Sequence, residues 1–339
     1  MNSARRILLL EDAPWGGVHT LCKTLVDALA NDDWQVVAVN WRDTTWRELL
    51  ALARSADVLV ASHNFGATYA AIVLKWLTHK PVISWVHGPL MEVLHQARAS
   101  WLKRLQLRWF YGQVTRFVCV SRTTQNSLLE FLGHPAQQRT TVILNAVAPM
   151  PEGQALHVHI PHSADNTLPP LLLGFVGRFS PEKRPGFLLE TLRELPEHAQ
   201  LGLIGEGPLR HTLVHQGMDL LQQGRLHFLG KHPSGASLYK PWQMTLLASR
   251  YEGFGMAALE SLACGVPCVA LPIPAMRELY ALDAPYLLAR GDTPIALAEA
   301  VMAVFSLPDQ QVQQDMARIV ARHNLEDFTR AWQEVLRTC

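Results

Sequence analysis

Two carboxylates, Glu252 and Glu260, are separated by seven residues, Gly253-Phe254-Gly255 and then Met256-Ala257-Ala258-Leu259. The two glycines predict a loop whose backbone can take unusual dihedrals and come close to a ligand. Met256 to Ala263 reads as a helix, stopped by Cys264-Gly265 with Pro267 just beyond. Such a helix start presents N–H groups and a positive dipole end to an anion, typically a phosphate. Carboxylates to either side would repel the phosphate but suit hydroxyls, because a carboxylate accepts paired hydrogen bonds from a vicinal diol. A phosphate flanked by polyols describes a sugar nucleotide. The spacing alone is also met by a surface helix carrying two unrelated glutamates, and it is the glycines and the closing turn that favour the ligand site.

Two cations are placed to join this site. Leu171 to Gly177 reads as a buried strand closing on glycine, and Arg178-Phe179-Ser180-Pro181-Glu182-Lys183 follows before a helix from about Pro185. At the mouth of a sheet, Arg178 and Lys183 can clamp a diphosphate and stabilise it as it leaves. The competing reading is a solvated pair with one salt bridge to Glu182. Two more glycine turns end strands in this half: Gly205-Glu206-Gly207 after Gln200–Ile204, and Gly230-Lys231 after Arg225–Leu229.

The elements that must position these residues alternate strand and helix. The first half has strands at Arg6–Leu10, Gln35–Asn40, Val58–Ala61, Val82–Val86, Phe117–Val120 and Thr141–Leu144, with helical stretches between, including one over Val93–Val114. The second half adds Met244–Ala248 and Val266–Leu271, then closing helices over Ile295–Phe305 and Val312–Val335. That alternation predicts an α/β architecture with mostly parallel sheets covered on both faces. Ligands in such sheets bind outside the carboxyl ends of the strands. Gly16-Gly17 follows the first strand and His87-Gly88-Pro89 the fourth, both at that end. Between them, Gly16-Gly17 opens a helix with Leu21, Leu25 and Leu29 on one face, and Ser62-His63-Asn64 follows the third strand. The expected domains are 1–150, a linker over 151–168 rich in proline and histidine, 169–325, and a C-terminal helix over 326–339 that packs back on the first domain. His157, His159 and His162 lie in that linker without an acidic or thiol companion, so a metal site there is disfavoured.

Composition excludes several classes. The 339 residues are 49% hydrophobic and carry a net charge of +1, enough apolar content for two cores and no overall signature of nucleic-acid binding. Five cysteines without metal-ligand spacing suggest reduced thiols and a cytoplasmic setting. The apolar run after Arg5-Arg6 is too short for a signal peptide and reads as a first strand. The longest apolar stretch, Tyr69 to Trp85, is interrupted by Lys75, His79, Lys80 and Pro81. No Gly-x-Gly-x-x-Gly follows the first strand, which argues against a two-domain dehydrogenase.

The stretch from Glu252 through Ala263-Cys264-Gly265-Val266-Pro267 resembles the Glu-x7-Glu signature of retaining glycosyltransferase family 4, whose members have the GT-B fold: two Rossmann-like parallel-sheet domains facing each other across a cleft. The Gly177-Arg178…Lys183 spacing is similar to that family's as well. Arg184 departs from it, standing where the family has glycine, and Pro272-Ile273-Pro274 replaces a usual glycine pair. The resemblance implies that Glu252 lies near the donor sugar and that Glu260 holds the ribose hydroxyls. It implies that Gly16 and Gly17 meet the donor phosphates and acceptor, and that His87 lies near the donor sugar and acceptor, a catalytic residue together with Arg178, Lys183 and Glu252. Gly205 and Gly207 would lie under the nucleotide, Gly230 would meet the base, and Gly177, Gly253, Phe254, Gly255, Met256 and Ala257 would complete the donor site.

The implied reaction is retaining transfer of a hexosyl group from a nucleoside-diphosphate sugar, a UDP-sugar first and GDP-mannose next, to an acceptor hydroxyl. By family habit that acceptor is a lipid-linked or free glycan such as lipopolysaccharide. No Asp-x-Asp sequence occurs, and Arg178, Lys183 and the helix start can supply the positive charge, so neither a metal nor a cofactor is expected. The alternatives are a GT-B sugar-nucleotide epimerase, a phosphorylase, or a non-catalytic sugar-nucleotide-binding protein. Arg98, Trp101, Lys103, Arg104, Arg108, Trp109, Phe110 and Tyr111 leave two readings open. The stretch is either a helix in peripheral contact with an anionic membrane, at the inner face of the cytoplasmic membrane, or an ordinary solvated helix with aromatics towards the core.

Overall fold

The computed structural model describes residues 5–12, 16–30, 33–62, 65–148, 169–233 and 235–339. The linker 151–168 with its three histidines, and His63 and Asn64, lie outside the described residues. The chain forms two compact units, Met1–Ala148 with His323–Cys339, and Pro149–Arg322.

The first unit contains β1 (Arg5–Glu11), α1 (Gly17–Ala28), β2 (Trp34–Asn40), α2 (Trp46–Ser55), β3 (Val58–Ala61), α3 (Gly66–Thr78), β4 (Val82–Val86), α4 (Leu90–Gln96), α5 (Trp101–Gly112), β5 (Arg116–Cys119), α6 (Arg122–Leu132) and β6 (Thr140–Val142). Its six strands are all parallel, in the order β2-β1-β3-β4-β5-β6. Ile7, Leu8, Leu9 and Leu10 are all buried although neighbours on a strand point to opposite faces. Helices on both sides of a parallel sheet require that unbroken apolar run.

The second unit contains β7 (Leu171–Val176), α7 (Pro185–Glu194), β8 (Ala199–Ile204), α8 (Arg210–Gln216), α9 (Met218–Gln222), β9 (Leu226–Gly230), β10 (Met244–Leu247), α10 (Met256–Ala263), β11 (Cys268–Ala270), α11 (Pro274–Tyr280), α12 (Pro294–Phe305) and α13 (Asp309–Ala321). Its five strands are parallel in the order β11-β10-β7-β8-β9. Gly174 of β7 and Gly202 of β8 are paired in register. A Cβ on either would fall within 2.4 Å of the Trp242 indole, so the two glycines make a shelf on which that ring lies. The chain then returns to the first unit as α14 (Leu325–Arg337). The Val147 N–H and the His323 Nδ1 donate to the carbonyls of His323 and Asn145, each at 3.0 Å, which ties the return to the end of the first unit's sheet.

Two expected helices are divided. Val93–Val114 is not one helix: α4 ends at Gln96 and α5 begins at Trp101. Arg98 takes φ 46°, the Ala99 N–H reaches back to Leu94 and the Arg98 N–H to His95. That is a Schellman ending with arginine in the place usually held by glycine. Ser100 then caps α5 by accepting from the Lys103 N–H. In the same way Val312–Val335 holds two helices, because Asn324 accepts from the Asp327 N–H and starts α14 afresh.

Candidate functional site

In a doubly wound sheet the crevice for a ligand opens where the strand order reverses. In the second unit that point lies between β7 and β10, and the residues leaving the carboxyl ends of those two strands are Gly177-Arg178 and Ser249 to Glu252. The Arg250 N–H donates to the Glu182 carbonyl at 2.8 Å and locks the two loops together. Lys183 Nζ donates to Glu252 Oε1 at 2.6 Å, and Ser249 Oγ donates to the same oxygen at 2.6 Å. The Glu252 side chain is only 11% exposed, so this pair is largely withdrawn from water. Lys183, Ser249, Glu252, Ala257 and Tyr239 line a small hollow at this end of the sheet.

Arg178 is exposed and bridges Glu182 at 2.8 Å, as the competing reading of that residue had it. Glu182 also accepts from Ser180 Oγ at 2.6 Å. Burial raises the Glu182 pKa, but the hydrogen bonds from Ser180, its own backbone and Arg178 outweigh it and hold the carboxyl below its ordinary value. Both cations at the strand ends are thus oriented by carboxylates, Arg178 by Glu182 and Lys183 by Glu252.

Gly255 precedes α10 in a left-handed conformation, φ 99°. No side chain caps the helix and no acidic residue lies in its first turn, where Met256 and Ala257 stand. Glu260, one turn further on, accepts from the Tyr239 hydroxyl at 2.5 Å. Tyr239 is fully buried, three residues before Trp242, whose indole rests on the shelf between β7 and β8. Burial pushes the Glu260 carboxyl up and the Tyr239 bond offsets part of that, while burial and then Glu260 raise the tyrosine well above its ordinary value. Tyr239 thus fixes one carboxylate oxygen of Glu260. Gly253 and Phe254 are buried in the loop ahead of the helix.

The glycine turns lie side by side. Gly205, φ 137°, follows β8, and a Cβ there would sit 1.9 Å from the Gly177 carbonyl oxygen. The Gly205 N–H donates to the Gly230 carbonyl at 2.8 Å, and Gly207 packs against the Phe179 backbone.

Gly16, Gly17 and His87 belong to the first unit. Gly16 precedes α1, Gly17 begins it, and both follow β1 at the carboxyl end of its sheet. His87 follows β4, its ring 4.5 Å from Trp85, which in turn meets Trp332 of α14 edge-on at 4.9 Å. In the same unit, His19 Nδ1 donates to Glu11 Oε2 at 2.8 Å. Tyr239 and the Glu11–His19 pair carry no sequence signal: the segment before β10 has no periodic pattern, and Glu11 reads as the polar end of a strand. Ser249 stands in the central stretch, three residues before its partner, and could have been found there.

Residues 162–322 match the family described as Glycosyl transferases group 1, and residues 38–149 match Glycosyltransferase Family 4. The GDP-mannose-dependent alpha-(1-6)-phosphatidylinositol dimannoside mannosyltransferase of Mycobacterium tuberculosis is 33% identical over 168 residues, 48% of this chain and 41% of that protein. The N-acetyl-alpha-D-glucosaminyl L-malate synthase of Bacillus anthracis is 32% identical over 131 residues, 38% of this chain and 34% of that protein. The matched region is thus less than half the length of these curated relatives. Among solved structures, Anabaena Alr3699/HepE in complex with UDP-glucose shares the fold with a TM-score of 0.79, 16% identity, and coverage of 98% of this chain and 100% of that one. With both halves matched and the same two-sheet architecture in a solved neighbour, the chain belongs to the family 4 glycosyltransferases and has the GT-B fold.

Proposed function

We propose that the protein transfers a hexosyl group from a nucleoside-diphosphate sugar to an acceptor hydroxyl, with retention of anomeric configuration and without a metal. A UDP-sugar is the favoured donor and a GDP-sugar the next. A bacterial surface glycan, free or lipid-linked, is the favoured acceptor. The observation that carries this reading is the meeting of Lys183 and Glu252 at the switch point of the second sheet, beside an uncapped helix start. A diphosphate arriving there is drawn by Lys183, Arg178 and the α10 N–H groups. The carboxylates Glu252 and Glu260 accept from hydroxyls to either side.

In the proposed step the bond between the anomeric carbon and the diphosphate oxygen breaks while the acceptor oxygen bonds to that carbon on the same face. The acceptor proton passes to the departing phosphate oxygen, and Lys183 stabilises the charge that develops there. The mycobacterial relative is GDP-mannose-dependent and the Anabaena neighbour is in complex with UDP-glucose, which supports a nucleotide-sugar donor and leaves the base open between the two.

The test is product formation from a panel of labelled UDP- and GDP-sugars with glycan and lipid-linked acceptors. Transfer to an acceptor is expected, and Lys183→Ala should lower it by about a hundredfold or more. Isomerised donor without transfer would make the protein an epimerase. Sugar phosphate formed from inorganic phosphate would make it a phosphorylase, and binding without turnover a non-catalytic sugar-nucleotide protein.

A further inference from the structure

α5 is turned the wrong way round for a helix on a water-soluble surface. Leu107 and Tyr111 are buried, yet Trp101, Leu102, Leu105 and Trp109 are 71%, 59%, 60% and 56% exposed. At 100° per residue these four fall within one arc of the helix, an apolar stripe facing solvent. The stripe continues onto the end of α3, where Trp76 and Leu77 are also exposed and the Trp76 and Trp109 rings meet at 5.6 Å. A contiguous exposed apolar patch marks an interaction site.

The charge around the stripe identifies the partner. Residues 65–114 hold six Lys and Arg residues against one acid, Glu92, a local charge of +5 in a chain whose net charge is +1. Lys75 is used internally, donating to the Gln113 carbonyl and Thr115 Oγ1, and the Nε groups of Arg104 and Arg108 donate to the Ala99 and Phe131 carbonyls. Arg98, Lys103 and Arg108 are exposed. Arg104 and Arg108 flank one side of the arc and Lys103 the other, the pattern of a helix that lies in the plane of a membrane. Two copies of this face brought together would set basic rims against each other, whereas an anionic bilayer satisfies apolar stripe and basic rim at once. Among the described residues no helix is long and apolar enough to cross a membrane.

We propose that α5 and the end of α3 form a docking surface for an anionic lipid bilayer. The indoles of Trp101 and Trp109 seat at the headgroup level and the basic side chains bind lipid phosphates. Docking by this face is independent of which donor the second unit binds.

The test is flotation of the full chain with vesicles containing phosphatidylglycerol and with vesicles of phosphatidylcholine alone. Binding to the anionic vesicles is expected, weakening as salt rises. Trp101→Ser with Leu105→Ser should weaken it by about tenfold or more, and Lys103→Ala by about fivefold. These side chains point into solvent, so the melting temperature should not move. Absence of binding to anionic vesicles at low salt would overturn the proposal. So would equal binding by the Trp101→Ser, Leu105→Ser protein, or self-association abolished by that variant when vesicles are not bound.

Discussion

Glu260 is a carboxyl that folding places at a disadvantage. Burial raises its pKa, so the folded chain favours the protonated form. The consequence for stability has a definite sign. Below the ordinary carboxylate range the group is protonated whether folded or not and costs nothing. As pH rises through the raised pKa, the ionised form must be held in a poorly hydrated place, and stability is lost. Glu260→Gln should therefore melt higher than the wild type at pH 8 and lose that advantage as pH falls towards 4. A wild type more stable than the variant at pH 8 would contradict this. On the proposed role the same variant binds donor more weakly, which makes Glu260 a case of stability given up for binding. Lys183 differs, since its removal leaves the Glu252 charge without its cation in a site that, on the proposed role, takes an anion. Lys183→Ala with Glu252→Gln separates the loss of a cation from the gain of a bare carboxylate.

At the scale of elements, the strands and the α10 helix were legible because their patterns are local and unbroken. Val58–Ala61, Val82–Val86 and Met256–Ala263 fall where the apolar runs and stop signals put them. The break at Arg98 was hidden because a left-handed residue ends α4 without the glycine that advertises it. Arg184, φ 51°, poses the same problem ahead of α7. A left-handed arginine costs about 1–2 kcal/mol. Against that, Arg184 lies 4.3 Å over the Phe187 ring and pairs with Asp292 at 2.7 Å. The ring contact is worth about 0.5–1 kcal/mol, and the pair, with Asp292 64% exposed, adds less than about 1 kcal/mol. The terms nearly cancel, so Arg184→Gly should change stability by less than about 1 kcal/mol in denaturant titration. Gly205→Ala should cost at least about 2 kcal/mol, since its Cβ meets backbone rather than a flexible side chain.

At the scale of the whole molecule, the two-sheet fold was readable from the alternation of strand and helix. The donor base, the acceptor and the contacts behind Glu260 were not. Those depend on residues such as Tyr239, brought to the site by packing over long sequence distance, and on loops with no periodic pattern. α14 shows the same dependence: Trp332, fully buried, supports Trp85 and through it His87. Trp332→Ala should lower first-unit stability by about 3–5 kcal/mol. In a thermal melt it should bring forward one transition, while the transition that a donor nucleotide shifts stays in place.

On the proposed function the second unit grips a diphosphate through Lys183. Titration calorimetry of UDP against UMP and GDP against GMP tests it most directly, in the wild type and in Lys183→Ala. The wild type should prefer one diphosphate over its monophosphate by about tenfold or more, and the preference should largely disappear in the variant. A wild type that binds both equally, or a variant that keeps the full preference, would contradict it.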